Sequence, residues 1–392
     1  MTSDPFTPLT VADYAEQALT TDKHSDGGSL TFPMLGLFGE TGSLLSEVKK
    51  KQRNQKSYKG YAGAVVEELG DVLWYLTAVA SRAGISLDEI AADVGRGYGD
   101  WHNTANPALT FASLQPDIMP RQLEPTPAFE QTLMSLAGEV GTLVIEQQSG
   151  RLNDNQAAFV GRLVAILRLL RQAADEAGVT LEAAAVKNLA KIFDRWPRER
   201  IYPDFLDAGA VEDERLPRML TIDIFERTVN GDDYVYQRCN GLNIGDRLTD
   251  NALIKDDYRF HDVFHLAHVA VLSWSPVIRS LLRLKRKENP TIDEAQDGAR
   301  ATLIEEGVTT WIFGQASNLD YFEGLGVNDL PFDLLKQVRE FVVGYEVEDI
   351  PLWVWEEAIL QGYAAFRFLR KHRRGRVHVD MTNHCLSIEN LP

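Results

Sequence analysis

The chain has 392 residues, 44% of them hydrophobic and 25% charged, with a formal net charge of −17. That length and composition predict a globular protein of two or three domains, and the acidic balance argues against a general nucleic-acid-binding surface, so no stable nucleic-acid polymer is expected as a partner. Cys239 and Cys385, the only cysteines, form neither a disulfide framework nor a zinc-knuckle spacing, which fits a reducing cytoplasm; the opening MTSDPFTPLT has no signal-peptide pattern, and no run of about 18 apolar residues predicts a membrane helix.

The first informative stretches are LGLFGETGSLLSE (35–47) and AVVEELGDVLWYL (64–76). Both have helical apolar spacing. Glu40 and Glu47 lie seven residues apart and share one helical face two turns apart. Glu67, Glu68 and Asp71 sit inside an otherwise apolar run, and Glu68 and Asp71 project side by side. Unpaired like charges there would repel and lose solvation. A bound cation removes both costs, and Mg²⁺ prefers oxygen ligands of this kind. Acids at a helix edge, facing water, would need no ion. Trp74 on the same helix would line a base pocket or pack in the core.

A second segment repeats the first. MSLAGEVGTLVIE (134–146) places Glu139 and Glu146 each 99 residues after Glu40 and Glu47. VGRLVAILRLLRQAADEAGVTLEAAA (160–185) then parallels 65–91, with Ala83-Gly84-Ile85-Ser86-Leu87 matching Ala177-Gly178-Val179-Thr180-Leu181. The copies end near Asp100-Trp101 and Arg195-Trp196. Gly84 and Gly178 are expected as helix C-caps, and Ser86 and Thr180 as N-caps of the next helix. Pro-bearing stretches at 104–127 and 197–217 read as linkers. The expected domains are residues 1–108, 109–200 and 215–392.

GLFGETG, EELGDVLWYL and GISLDEIA together resemble the MazG-type nucleotide pyrophosphohydrolases of the all-α NTP pyrophosphatase superfamily, over residues 28–102 and more weakly 128–197. The resemblance implies an E-x-x-E pair on one helix and an E-x-x-D pair on the next, four carboxylates holding Mg²⁺ in a helical bundle. Here Glu68-x-x-Asp71 is intact. In the first pair Glu40 is followed by Ser43, and Glu47 is the candidate substitute. Glu40, Glu68 and Asp71 are thus implied metal ligands, with Mn²⁺ as an alternative ion, and Glu40, Glu47 and Glu67 are candidate catalytic acids. In the second copy Arg162 and Ala165 replace Glu68 and Asp71, but KNLAKIFDRWP (187–197) resembles the family's N-x-x-K segment near the substrate phosphates. MazG-type domains usually dimerise, so the fused copies imply a pseudo-dimer within one chain, itself able to form a homo-oligomer. The composite site would take acids from copy one and Asn188, Lys191 and Arg195 from copy two. Copy two as a mere packing partner is the competing reading.

Residues 218–392 are read as α-rich. In YRFHDVFHLAHVAVLSW (258–274), His261, His265 and His268 are spaced four and three apart and share one helical face beside Asp262. Glu305-Glu306 and Glu356-Glu357 follow. Imidazoles one turn apart plus a carboxylate suit Zn²⁺, Mn²⁺ or Fe, so His261, Asp262, His265, His268, Glu305 and Glu306 form a second candidate metal site; three histidines hydrogen-bonded in a core are the alternative. The basic run RFLRKHRRGRVH (367–378) reads as a solvated helix end or docking strip.

The sequence therefore predicts an all-α protein: a tandem MazG-like helical bundle with a further mainly helical C-terminal domain. The expected activity is Mg²⁺-dependent hydrolysis of a nucleoside triphosphate to the monophosphate and pyrophosphate, in nucleotide-pool control or house-cleaning. The rival expectations are a non-catalytic nucleotide sensor and metallohydrolase chemistry at the histidines.

Overall fold

The computed structural model describes residues 8–23, 29–95, 108–117, 119–153 and 155–391. The chain divides into two compact units, Met1–Phe193 and Asp194–Pro392. Asp100-Trp101, the expected end of the first repeat, lies outside the described residues.

The described part of the first unit is helical. Its elements are α1 (Val11–Leu19), α2 (Thr31–Asn54), α3 (Tyr61–Arg82), α4 (Leu87–Gly95), α5 (Phe111–Leu114), α6 (Pro127–Gln148), α7 (Gln156–Ala177) and α8 (Leu181–Arg195), whose last two residues are counted with the second unit. Apolar stripes at helical spacing explain the bundle. Leu37, Leu44 and Val48 of α2 are buried, as are Val65, Leu69, Val72, Leu73 and Leu76 of α3. Helix α2 packs on α3 and on α6, and α6 packs on α7. Local chemistry sets the helix ends. Ser86 and Glu89 exchange backbone-to-side-chain hydrogen bonds at the start of α4 (3.0 and 3.2 Å), a capping box. Thr180 Oγ1 accepts from Ala183 N at the start of α8, and Gly178 closes α7 in the left-handed region at φ 64°.

One close approach positions the site. A Cβ on Gly70 of α3 would fall 2.6 Å from the Ala184 carbonyl oxygen and 2.9 Å from Asn188 Cβ. Only glycine lets the α3 and α8 backbones come this near.

The second unit is mixed. Three strands, β1 (Met219–Val229), β2 (Asp232–Cys239) and β3 (Leu242–Leu248), precede α9 (Asp262–Ala267), α10 (Pro276–Leu282), α11 (Pro290–Ala295), α12 (Ala299–Ala316), α13 (Phe332–Phe341) and α14 (Leu352–His372); β4 (Arg374–Asp380) and β5 (Cys385–Glu389) follow. Among the described residues they make one antiparallel sheet in the order β3-β2-β1-β4-β5. This sheet corrects the all-α expectation: the C-terminal part carries a five-stranded sheet beside its helices. The physical reason is local. Asn230-Gly231 (φ 56° and 89°) and Asn240-Gly241 (φ 49° and 81°) both adopt the positive φ pair that two-residue hairpins require. Period-two residues then line one buried face: Ile222, Ile224, Val235, Val377 and Val379. Helices α9 and α14 pack on that sheet and on each other.

The basic run is divided between two elements. Helix α14 stops at Arg373, whose φ is 58°, and β4 begins at once. Arg376 then pairs with Asp223 across the β1–β4 ladder (2.7 Å), and Arg373 pairs with Asp257 (2.8 Å) and Glu226 (2.5 Å). Among the described residues no helix is long and apolar enough to cross a membrane.

Candidate active site

In the first unit, Glu40 of α2 and Glu68 and Asp71 of α3 each direct a carboxylate oxygen to one place, all within 4.8 Å of one another. Glu68 Oε2 is buried and makes no hydrogen bond. Burial, then the nearby charges of Asp71 and Glu40, raise the Glu68 carboxyl to about 7. The Asp71 carboxyl is also raised, by burial, against the pull of Lys191. Three converging acids, one with an unpartnered buried oxygen, are a hard, oxygen-only donor set that fits Mg²⁺ or Mn²⁺.

Helix α8 reaches the same acids. Asn188 Nδ2 donates to Asp71 Oδ1 at 3.0 Å, and its own oxygen accepts from the Tyr14 hydroxyl at 3.1 Å. The Lys191 ammonium pairs with the other Asp71 oxygen and lies 3.3 Å from Glu67. Lys187 also approaches Glu67, at 3.5 Å. The cluster thus joins carboxylates of α2 and α3 to an amide and an ammonium of α8.

The remaining candidates lie elsewhere. Both Glu47 oxygens are engaged, one by Lys50 and one by the Tyr58 hydroxyl. The Trp74 indole N–H donates to Ala18 O (3.1 Å) and Thr21 Oγ1 (3.3 Å), which ties the ring to α1. Arg195 belongs to the second unit, where its buried guanidinium donates to Glu356 Oε1 (3.0 Å) and Leu330 O (2.7 Å). Glu357 accepts from Arg200 at 2.7 Å. Lys187 went unnoticed in the sequence, though it stands one helical turn before Lys191.

On α6 and α7 the arrangement of charge is inverted. Arg162 stands at the sequence position corresponding to Glu68. Its guanidinium donates to Glu146 at 2.8 and 2.9 Å and to Glu139 at 3.2 Å. Here a side-chain cation lies between the two acids that correspond to Glu40 and Glu47.

In the second unit the histidines are buried at the start of α9 and in the π turn His268–Leu272 that continues it. His265 Nδ1 lies 2.9 Å and His268 Nδ1 3.0 Å from Glu305 Oε1. The His268 contact is a directed hydrogen bond. The His265 contact is short but off the line a bond needs, and neither His265 nitrogen is satisfied. Burial lowers the His265 pKa, but Glu305 beside it outweighs this and leaves it well above the usual value. His261 Nδ1 donates to the Tyr258 carbonyl oxygen at 2.9 Å. Asp262 accepts from the Gln237 amide.

Residues 201–392 match the family model described as the MazG C-terminal domain. The match supports membership of the MazG family, and at that level it points to a nucleotide pyrophosphatase-type function. It falls on a different stretch from the acidic and N-x-x-K motifs, so the two lines of resemblance are separate. No curated protein and no solved structure matches the chain.

Proposed function

We propose that the first unit hydrolyses a nucleoside triphosphate at the α-phosphorus, releasing the monophosphate and pyrophosphate, with Mg²⁺ held by Glu40, Glu68 and Asp71. The observation that carries this reading is the convergence of those three carboxylates with Lys191 and Asn188. A bound Mg²⁺ supplies charge neutralisation for the phosphate oxygens and lowers the pKa of water. Asn188 holds Asp71 in place through a bond to one of its oxygens. Lys191, on the rim of the cluster, supplies positive charge for the departing pyrophosphate. Glu67 is partly exposed beside Lys187 and Lys191 and orients the attacking water, whereas Glu47 is occupied by Lys50 and Tyr58. The two halves of the sequence repeat act as one composite site.

One observation favours a second reading. Ser43 leaves the cluster with three carboxylates instead of four, and Glu47 does not join them. Such a site would bind nucleotide without turning it over, as a sensor. A panel of nucleoside triphosphates, incubated with Mg²⁺ or Mn²⁺ and assayed separately for pyrophosphate and phosphate, decides between the two. Pyrophosphate release supports the enzyme. Saturable nucleotide binding with no product supports the sensor.

A further inference from the structure

We infer that the second unit holds a separate first-row transition ion, Zn²⁺ by preference, between His261 Nε2, His265 Nε2 and Glu306. One ligand atom of each of these residues lies within 4.8 Å of those of the other two. Glu306 Oε2 is 3.5 Å from His265 Nε2 and 3.9 Å from His261 Nε2. Ligands on a tetrahedral Zn²⁺ with bonds of about 2.0–2.1 Å stand about 3.3–3.4 Å apart. The two Glu306 contacts stand within about 0.6 Å of that separation.

The orientation of both rings argues for an ion. Metal-bound histidines present one nitrogen to the metal and hold the other on a carboxylate or a backbone carbonyl. His261 does so: its Nδ1 donates to the Tyr258 carbonyl, which leaves the Nε2 lone pair facing Glu306, with Asp262 Oδ1 only 3.1 Å away. His265 has its Nδ1 2.9 Å from Glu305 Oε1, without a directed bond, and its Nε2 toward Glu306. Without a cation, a lone pair and two carboxylates converge on one place, and a histidine with 0% exposure keeps both nitrogens unsatisfied. Unsatisfied buried polar atoms are costly.

Glu305 is support and not a ligand in this arrangement. One of its oxygens takes the Nδ1 side of His265 and of His268, and the other accepts from Ser275 Oγ and Val277 N, each at 3.0 Å. His268 therefore belongs to the scaffold, and the shared helical face of three histidines divides into two ligands and one brace. Glu306 is the partly exposed ligand, with a side chain 38% accessible. Three protein ligands leave a position on that side for water or for a substrate oxygen, as catalytic zinc sites do.

The test uses the full chain carrying Glu68→Gln and Asp71→Asn, so that the acids of the first unit contribute nothing. The chain is stripped with chelator, titrated with Zn²⁺ by calorimetry, and then loaded with Co²⁺ for visible absorption. One equivalent of tight Zn²⁺ is expected, together with the strong absorption of four-coordinate Co²⁺. Glu306→Gln, at a partly exposed position, should weaken binding at least about a hundredfold and abolish the Co²⁺ band, while His268→Gln should cost only about ten- to a hundredfold and keep the band. No stoichiometric binding, or equal binding in the Glu306→Gln chain, would overturn the assignment.

Discussion

Lys191 of α8 forms an ion pair with Asp71 of α3, 120 residues earlier in the chain. The pair is partly buried, and Asn188 and Glu67 complete it from either side. Removing the ammonium should therefore act on the substrate charge more than on the fold. Lys191→Ala is expected to lower kcat/KM for the triphosphate by at least about tenfold, with an unchanged circular-dichroism spectrum. Steady-state kinetics with Mg²⁺ saturating check this; unchanged kinetics would reduce α8 to a scaffold.

Gly70 gives a prediction with opposing signs. In an open helix, alanine would stabilise by up to about 1 kcal/mol over glycine. Here the added methyl meets the Ala184 carbonyl oxygen and Asn188 Cβ, and a backbone oxygen cannot rotate away. Gly70→Ala should push α8 from α3, break the Asn188–Asp71 and Lys191–Asp71 bonds, and lower both the melting temperature and the activity. A gain in melting temperature would contradict the close approach.

The Arg162 arrangement predicts that acidity can be rebuilt. Glu139 and Glu146 already lie around that guanidinium. Arg162→Glu combined with Ala165→Asp should create a second oxygen-donor cluster and raise the Mn²⁺ stoichiometry of the chain by about one, read by electron paramagnetic resonance of free Mn²⁺. In the absence of divalent ions the double variant should be less stable than the parent, because four acids then crowd one place.

Stability in acid should depend on Asp207. Burial raises its carboxyl pKa, but the hydrogen bonds from Arg218 and Leu216 N–H and the charges of Arg279 and Arg218 together outweigh it, and the net shift is downward from 3.8. The folded value lies below the unfolded one. The stabilisation is therefore fully present above about pH 4, and it is lost as pH falls through the folded value. Asp207→Asn should melt earlier than the parent at neutral pH, and the gap should narrow as pH falls below the unfolded value and through the folded one, where Asp207 protonates. A gap independent of pH would show that the charge plays no part.

Local signals were the most legible in the sequence. Ser86–Glu89, Thr180 and Gly178 mark helix ends through bonds within a few residues, and the apolar stripes of α2 and α3 announce their buried faces. The meeting of Lys191 with Asp71 could be expected only because each sequence repeat lacks what the other keeps. The sheet was missed although Asn230-Gly231 and Asn240-Gly241 are strong hairpin signals. Between them the strands carry charged outer residues such as Asp223, Arg227 and Arg238, so the apolar alternation is short and sparse. Arg376 and His378 look like the end of a basic helix until their period-two partners Val377 and Val379 are read with them. The engagement of Glu47 by Tyr58 was beyond reach, since it depends on how the turn after α2 folds back.

The most direct test of the central claim follows the oxygen of the attacking water. The parent chain, Glu68→Gln and Asp71→Asn are each incubated with the preferred triphosphate and Mg²⁺ in isotopically heavy water, and the products are weighed by mass spectrometry. The account predicts heavy oxygen in the nucleoside monophosphate and none in pyrophosphate for the parent chain, with no product from either variant. Label in pyrophosphate or inorganic phosphate, or undiminished product from both variants, would contradict attack at the α-phosphorus by way of this carboxylate cluster.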